Sequence, residues 1–159
     1  MSDTVTLSRP TKPAPSQFRH RHEDALAVLC ATRGVLARGW AQHTWYVIKT
    51  PSGRRRAWQL LLPTRVDHRH VESACLVGAV VHGAWQLSSR SEYAYPAIDA
   101  LWRALFDADA GDPVGPLAPP LVRTARVRDL TTWNDRDYRT KEEVLCLVDL
   151  ATARVTPGR

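Results

Sequence analysis

A long apolar stretch in the middle of the chain constrains the fold more than any other segment. Between about Asp67 and Leu87, apolar residues recur at helical spacing, and Asp67 is a residue type that caps helix N-termini. The stretch also holds small residues that let a neighbouring helix approach closely, namely Ala74, Gly78, Ala79, Gly83 and Ala84. A helix that is apolar on most sides has to be surrounded by other elements. We therefore predict a central buried helix with other helices packed around it.

The last helix carries the clearest start signal in the sequence. Thr140 and Glu143 have the spacing of a capping box, in which each side chain satisfies a backbone N–H that the helix leaves without a partner. Apolar residues follow at helical spacing on one face: Val144, Leu147, Val148 and Ala151. Pro157 and Gly158 prevent much further extension, so the pattern predicts a helix from about residue 141 to residue 153.

The polar turn before this helix combines a large aromatic residue with turn-forming residues. Asn134 and Asp135 readily bond their own backbone, and Trp133 is a natural anchor in a core. We interpret the turn as structural, with Arg139 paired to Asp135 or Asp137. The alternative is an exposed polar loop whose residues contact a ligand or partner, since loops often carry function.

Three more elements have recognisable local signals. A helix is predicted over about residues 22 to 38, ended by Gly39, and another begins near Tyr95 and extends to about Phe106. Residues 107–122, rich in proline and glycine, are predicted to form a long loop, followed by a short turn at about 127–130. Residues 44–62 read as a β-hairpin, because β-branched and aromatic residues flank a Pro-Ser-Gly turn.

These elements together predict one mainly α (α+β) domain over residues 21–155. The expected architecture is a small bundle of four helices around the central one, with one β-hairpin on its side. Residues 1–20 mix prolines with basic and hydroxyl side chains and lack periodicity, so we expect a disordered basic arm there. The length of 159 residues agrees with a single domain.

The charge is unevenly distributed along the chain. The net charge is +6, and the 49–70 segment alone holds six basic residues against one acidic residue. No apolar run has the length of a membrane span, and the N-terminus shows no apolar signal core, so we expect a cytoplasmic protein with no membrane contact. The three cysteines are Cys30, Cys75 and Cys146, and they lie in apolar helical contexts. This placement favours buried free thiols over a disulfide framework.

Several short motifs occur in an order that resembles a known family. Gly39-Trp40 follows the first helix, Cys75-Leu76-Val77-Gly78-Ala79 lies in the central one, and Trp133-Asn134-Asp135 precedes Arg139-Thr140 and Glu143-Val144. Over about residues 22–153 the chain resembles a family of small uncharacterised proteins of actinobacteria and their phages. The resemblance implies a short helical protein and assigns no catalytic residues. The arginine-rich hairpin and the 107–122 segment depart from the family pattern.

Catalytic and metal chemistry find little support in the spacing of reactive residues. Two His-x-His pairs stand near Cys75, but arginine lies between the histidines and no zinc-finger spacing is present. Cys75 and His82 are seven residues apart, about 10 Å along a helix, too far for a hydrogen bond. No nucleophile elbow, phosphate loop or dinucleotide motif is present. We therefore expect a protein that is not an enzyme and uses no cofactor or metal.

Two binding functions remain open. Nucleic-acid binding would use the N-terminal arm and the hairpin, where Lys49, Arg54, Arg55 and Arg56 are interleaved with Trp45, Tyr46 and Trp58. Protein binding, including homodimer formation, would use the same hairpin arginines and any exposed tryptophan near the turn formed by Trp133, Asn134, Asp135 and Arg139. Because six tryptophans are many for a helical domain of this size to bury, protein binding is our leading interpretation.

Overall fold

The protein is described from a computed structural model, which covers residues 15–57, 68–88, 91–106 and 111–156. These residues form five α-helices and a three-stranded antiparallel sheet, so the mainly α fold class is confirmed. In chain order the elements are α1 (Pro15–Arg38), β1 (Tyr46–Thr50), β2 (Gly53–Ala57), β3 (Val71–Ala74), α2 (Leu76–Ser88), α3 (Ala94–Phe106), α4 (Pro120–Asn134) and α5 (Lys141–Val155).

The central helix is α2, as the apolar stretch predicts. Eight of its residues are buried, and it packs most extensively against α1. Gly83 permits this contact, because a Cβ atom placed there would lie only 3.1 Å from the Cβ of Ala31 on α1. The predicted start near residue 67 is wrong, since α2 begins at Leu76 and residues 71–74 form β3 instead. Pairing with β1 determines the conformation of this short segment.

The predicted hairpin is present between residues 46 and 57, and its continuation to residue 62 lies outside the described residues. β1 is the middle strand, because it pairs with β2 on one side and with β3 on the other. The sheet is tied to the end of α1 by two hydrogen bonds, from the Ala74 amide to the Gly39 carbonyl at 3.1 Å and from the Ala41 amide to the Ala74 carbonyl at 3.0 Å.

The first helix starts earlier than the sequence indicates. α1 begins at Pro15, so residues 15–20 are helical and do not belong to a disordered arm; residues 1–14 lie outside the described residues. Proline is well suited to a first helical position because its missing N–H would have no intrahelical partner. The buried stripe of α1 follows helical spacing and consists of Ala25, Val28, Leu29, Thr32, Val35 and Leu36. Gly39 ends the helix, as expected, and its amide donates to the Val35 carbonyl at 3.2 Å.

The helix α4 is the main element that the sequence pattern does not reveal. Where the structure describes it, the predicted loop over 107–122 is wrong only at residues 120–122, and the predicted short turn over 127–130 is wrong, because residues 120–134 form one helix. Only Leu130 and Asn134 of α4 are buried, so the helix has no apolar stripe to detect. Residues 111–119 do form the irregular connection that the prolines and glycines predict.

The final helix agrees with its prediction in both its start and its buried face. Thr140 and Glu143 form the capping box, with the Thr140 hydroxyl accepting from the Glu143 amide at 3.2 Å and the Glu143 carboxylate accepting from the Thr140 amide at 2.9 Å. The four predicted face residues are all buried. α5 packs against α1 and α3, and thereby closes the helical bundle around the core.

Candidate functional site

The buried side chain of Asn134 connects three distant parts of the chain. Its relative exposure is 0%, and it lies in the last turn of α4. Its Oδ1 accepts hydrogen bonds from the indole Nε1 of Trp40 at 2.8 Å and from the Leu76 amide at 3.1 Å. Its Nδ2 donates to the Ala41 carbonyl at 3.2 Å and to Asp135 Oδ1 at 2.8 Å. One amide group therefore joins the end of α1, the start of α2 and the end of α4.

The segment after α1 is tied to the same turn through further polar contacts. Gln42 Nε2 donates to the backbone carbonyls of Asn134 at 3.0 Å and Arg136 at 2.8 Å. The His43 amide donates to Asp135 Oδ1 at 2.9 Å, while His43 itself has a φ of +56°. A positive φ is costly for a residue with a Cβ atom, and the bond to Asp135 helps to hold it.

Two glycines allow the backbone to approach closely around this region. A Cβ on Gly39 would collide with the Glu72 carbonyl, and one on Gly78 would collide with the Trp45 carbonyl. The Gly78 amide donates to the Cys75 thiol at 3.3 Å. Burial raises the pKa of the Cys75 thiol to about 12, so this cysteine remains a neutral thiol. The expectation of three buried thiols is wrong, because Cys30 and Cys146 are exposed.

Trp133 and Arg139 form the outer layer of the same turn. The Arg139 guanidinium lies 3.9 Å from the centroid of the Trp133 ring, and its Nε donates to the Trp133 carbonyl at 3.2 Å. The predicted pairing of Arg139 with Asp135 or Asp137 is wrong. Arg139 pairs with Glu143, with its Nη1 atom 3.1 Å from Glu143 Oε1. The backbone N–H of Thr140, which bonds the Glu143 carboxylate, is the main cause that lowers the pKa of Glu143. Trp133 is half-buried against the core, whereas Asn134 is the residue that is fully enclosed.

We call the residues around Asn134 the Asn134 hub, comprising Gly39, Trp40, Leu76, Trp133, Asn134, Asp135 and Arg139. The residues that carry the sequence resemblance thus meet in one place. The Asn134 amide is closed to solvent, and its oxygen and nitrogen both have hydrogen-bond partners. A buried, fully bonded amide fixes the arrangement of the elements around it.

The hairpin presents a basic face that is separate from the hub. Lys49 is directly opposite Arg54 and Val47 is directly opposite Arg56, so the side chains of Lys49, Arg54 and Arg56 share one face of the sheet. All three are exposed. Arg55 is also exposed but belongs to the other face, opposite Ile48. We call the face that carries Lys49, Arg54 and Arg56 the basic sheet face.

Among the described residues, the acidic side chain that contacts this face is Glu72. Glu72 of β3 accepts from the Arg54 Nε at 2.6 Å, and the Glu72 side chain retains 28% exposure. The sequence does not reveal the role of Glu72, because Glu72 lies beside Arg54 only when β3 pairs with the sheet. The candidate contact residue Trp58 lies outside the described residues.

The tryptophans within the described residues are mostly covered. Trp40, Trp45, Trp102 and Trp133 are half-buried against the core, and Trp85 at the end of α2 is 38% exposed. The turn at residue 133 therefore presents a tryptophan that is stacked under Arg139. Within the same described parts, no three His, Cys, Asp or Glu residues are grouped so as to hold a metal ion, and no helix is both long and apolar enough to cross a membrane.

Comparison with known proteins places the chain in a family. The family model described as "Family of unknown function (DUF6197)" matches residues 20–154, which is most of the chain, and the protein belongs to this family. The match covers all five helices except the first five residues of α1 and the final residue of α5. No curated protein matches, and no solved structure matches.

Proposed function

We propose that this member of a family of unknown function is a non-enzymatic binding protein whose basic sheet face contacts an acidic protein surface. The observation that carries the proposal is the placement of Lys49, Arg54 and Arg56 on one exposed face, with Lys49 directly opposite Arg54. Like charges placed directly opposite each other destabilise an antiparallel pair. A partner that supplies carboxylates would relieve this repulsion.

The presence of Glu72 supports a protein partner over a nucleic acid. Glu72 places a negative charge beside Arg54. This charge would repel the phosphate backbone of a nucleic acid bound at close range. A protein surface can match mixed charges individually, and electrostatic complementarity of this kind guides partner choice. The aromatic side chains of the described hairpin region also offer little for base stacking, since Tyr46 is buried and Trp45 is half-buried.

Nucleic-acid binding through the hairpin and the N-terminal arm is the competing function, favoured by the net charge of +6. An actinobacterial or actinophage source and a cytoplasmic location belong to the same proposal. They are supported by the sequence resemblance and by the free thiols. A homodimer is the further arrangement in which a second copy would supply the acidic surface.

The test compares an acidic peptide with DNA of similar charge. Fluorescence anisotropy would measure binding of a labelled twelve-residue polyglutamate and a labelled twelve-nucleotide oligothymidine at low and at physiological salt. We expect tighter binding of the peptide, and a loss of about tenfold for the Arg54→Gln/Arg56→Gln variant, because each surface ion pair contributes up to about 1 kcal/mol.

A matched variant separates the face from net charge. Arg38→Gln/Arg128→Gln removes two exposed arginines on α1 and α4 and so changes the net charge equally. We expect it to weaken peptide binding far less than the sheet variant. Equal losses in the two variants, or no peptide binding at low salt, would overturn the proposal. Tighter binding of oligothymidine would replace the protein partner with a nucleic acid.

A further inference from the structure

The segment 111–129 lies across α1 and α3, and polar contacts make up most of the interface between its helical part and α3. We call it the polar strap. Among its apolar side chains only Val114 and Ala118 are buried, whereas Leu121 is 86% exposed. Low apolar burial is a mark of segments that open before the rest of a protein unfolds. The next residue of α4, Leu130, is fully buried and marks the end of the strap.

Two polar contacts join the first part of the strap to α1. The Arg21 Nη1 donates to the Gly115 carbonyl at 3.1 Å, and His22 Nε2 lies 2.9 Å from Asp112 Oδ1. The side chains of His22 and Asp112 are both partly exposed. Contacts of this kind between exposed groups contribute little to stability, because water competes for each partner.

The helical part of the strap contacts α3 through three polar interactions that follow one another along the helix. Arg123 lies over the Tyr95 ring, with its guanidinium carbon 4.1 Å from the centroid. Arg126 pairs with Asp99 at 2.5 Å and also lies 4.7 Å from the centroid of the Trp102 ring. In the third interaction, the Trp102 indole donates to Asp129 Oδ2 at 3.0 Å.

This interface leaves several buried polar atoms unsatisfied. Asp99 Oδ2 and the Nε atoms of Arg123 and Arg126 are buried and have no hydrogen-bond partner among the described residues. Each such group disfavours packing of the strap against α3, because it loses its hydrogen bonds to water and gains no other hydrogen bond. An apolar interface of the same shape would hold α4 at least as strongly. The polar interface therefore binds the strap to α3 less tightly than the fold could achieve.

We propose that the polar strap opens as a unit around Leu130 while the remaining helices and the Asn134 hub stay folded. The α3 surface beneath it offers a carboxylate between two aromatic rings, Tyr95, Asp99 and Trp102, which is an arrangement that binds guanidinium groups. In the closed protein Arg123 and Arg126 occupy this surface. The open state exposes it to a cationic segment of a partner, so the strap acts as an internal competitor.

The first test measures native-state hydrogen exchange by mass spectrometry as a function of low urea concentrations. The hydrogen-bonded amides of residues 123–129 are expected to exchange at least about tenfold faster than those of α2, with a urea dependence smaller than that of α2, because opening of the strap exposes less surface than global unfolding. Exchange of both segments at the same rate and with the same urea dependence would overturn the proposal. This experiment uses the unmodified protein, so no variant has to fold.

The second test changes the interface. In Asp99→Leu/Arg126→Leu the buried ion pair, with its two unsatisfied atoms, is replaced by apolar groups, and exchange of the strap is expected to slow by about tenfold. Arg126→Leu alone leaves the buried Asp99 carboxylate unpaired and is expected to accelerate exchange of the strap. Arg128→Leu, on the exposed side of α4, is the control and should leave the rate unchanged. A double variant that exchanges no more slowly than the wild type would contradict the role assigned to the polar interface.

The third test addresses the surface beneath the strap with a defined probe. The probe is a synthetic peptide of residues 117–130 of this chain, added in excess to the full protein. The peptide is expected to accelerate exchange of the amides of residues 123–129 several-fold, because its arginines compete for the same α3 surface. The matched peptide with both arginines at 123 and 126 replaced by glutamine should have no effect. Equal effects of the two peptides, or no effect of either, would refute the internal-competitor role.

Discussion

Replacing Asn134 with alanine tests the structural role of the hub most sharply. The change removes four hydrogen bonds at once and leaves two donors without partners, the Leu76 amide and the Trp40 indole. An unsatisfied buried donor costs about 1–3 kcal/mol, so the two together predict a loss of about 4 kcal/mol in the free energy of unfolding. This is a large part of the stability of a typical domain, which is about 5–15 kcal/mol.

The assay is urea unfolding followed by tryptophan fluorescence and by far-UV circular dichroism. With a denaturant slope of about 2 kcal/mol per molar, the predicted loss lowers the unfolding midpoint by about 2 M. Trp40→Phe removes one of the two donors while keeping an aromatic ring, and it serves as the partner variant in a double-mutant cycle. The coupling energy between Trp40 and Asn134 should lie within the range of about 0.5–3 kcal/mol that is typical of residues in contact.

A second substitution at the same position gives a result that depends on pH. Asn134→Asp keeps the shape and the Oδ1 acceptor, but it places a buried carboxylate beside Asp135. Burial and the neighbouring charge raise the folded-state pKa of the new carboxyl above its unfolded value of about 3.9. The destabilisation is therefore full at neutral pH and falls as the pH drops through the raised pKa. The reasoning is refuted if Asn134→Ala costs less than about 1 kcal/mol or if Asn134→Asp is insensitive to pH between 7 and 4.

Three further predictions concern other parts of the fold. Gly78→Ala should lower the free energy of unfolding by at least about 1–3 kcal/mol, because the added Cβ meets the Trp45 carbonyl. Gly34→Ala, in open space on α1, should raise it by up to about 1 kcal/mol. Urea midpoints that move in the same direction in the two variants would contradict this. Thr140→Ala should cost about 1 kcal/mol by removing the N-cap of α5, and a thermal midpoint identical to that of the wild type would refute the cap's contribution. Titration of the native protein with a thiol reagent should modify the two exposed cysteines rapidly and Cys75 only after unfolding, since its pKa of about 12 and its burial suppress the thiolate; rapid reaction of all three would show that the core opens readily.

Local sequence signals predicted the elements whose stability is also local. The capping box of Thr140 and Glu143 is such a case, because both partners lie within four residues and their hydrogen bonds require no other part of the chain. The buried faces of α2 and α5 were found for a related reason, since apolar periodicity reports directly on which side of a helix faces a core. The hairpin up to residue 57 was likewise found from its turn.

Two elements were not predictable because distant contacts determine them. β3 has only four residues, and its strand conformation depends on pairing with β1, about 25 residues earlier in the chain. The composition of this segment also permits a helix, and the sequence pattern therefore places it at the start of α2. α4 has the opposite difficulty, since its interface with α3 is polar and provides no apolar period to detect.

The hub shows what a motif alone does and does not reveal. The sequence singled out the Trp133-Asn134-Asp135 turn and assigned the anchoring role to the tryptophan. In the structure Asn134 is the enclosed residue, and its partners Trp40 and Leu76 come from segments 94 and 58 residues away. No spacing rule connects these segments, so the function of the amide follows only from the fold. The basic sheet face was predictable residue by residue, while its contact with Glu72 was not.

The exchange rate of the Leu76 amide tests the structural role of the hub most directly. Leu76 is the first residue of α2, so its N–H has no partner within the helix and would exchange rapidly without the Asn134 side chain. Hydrogen exchange followed by NMR is predicted to give this amide an opening free energy equal to that of global unfolding measured in urea. Rapid exchange of the Leu76 amide in the native protein, at the rate of an unprotected helix start, would contradict the account.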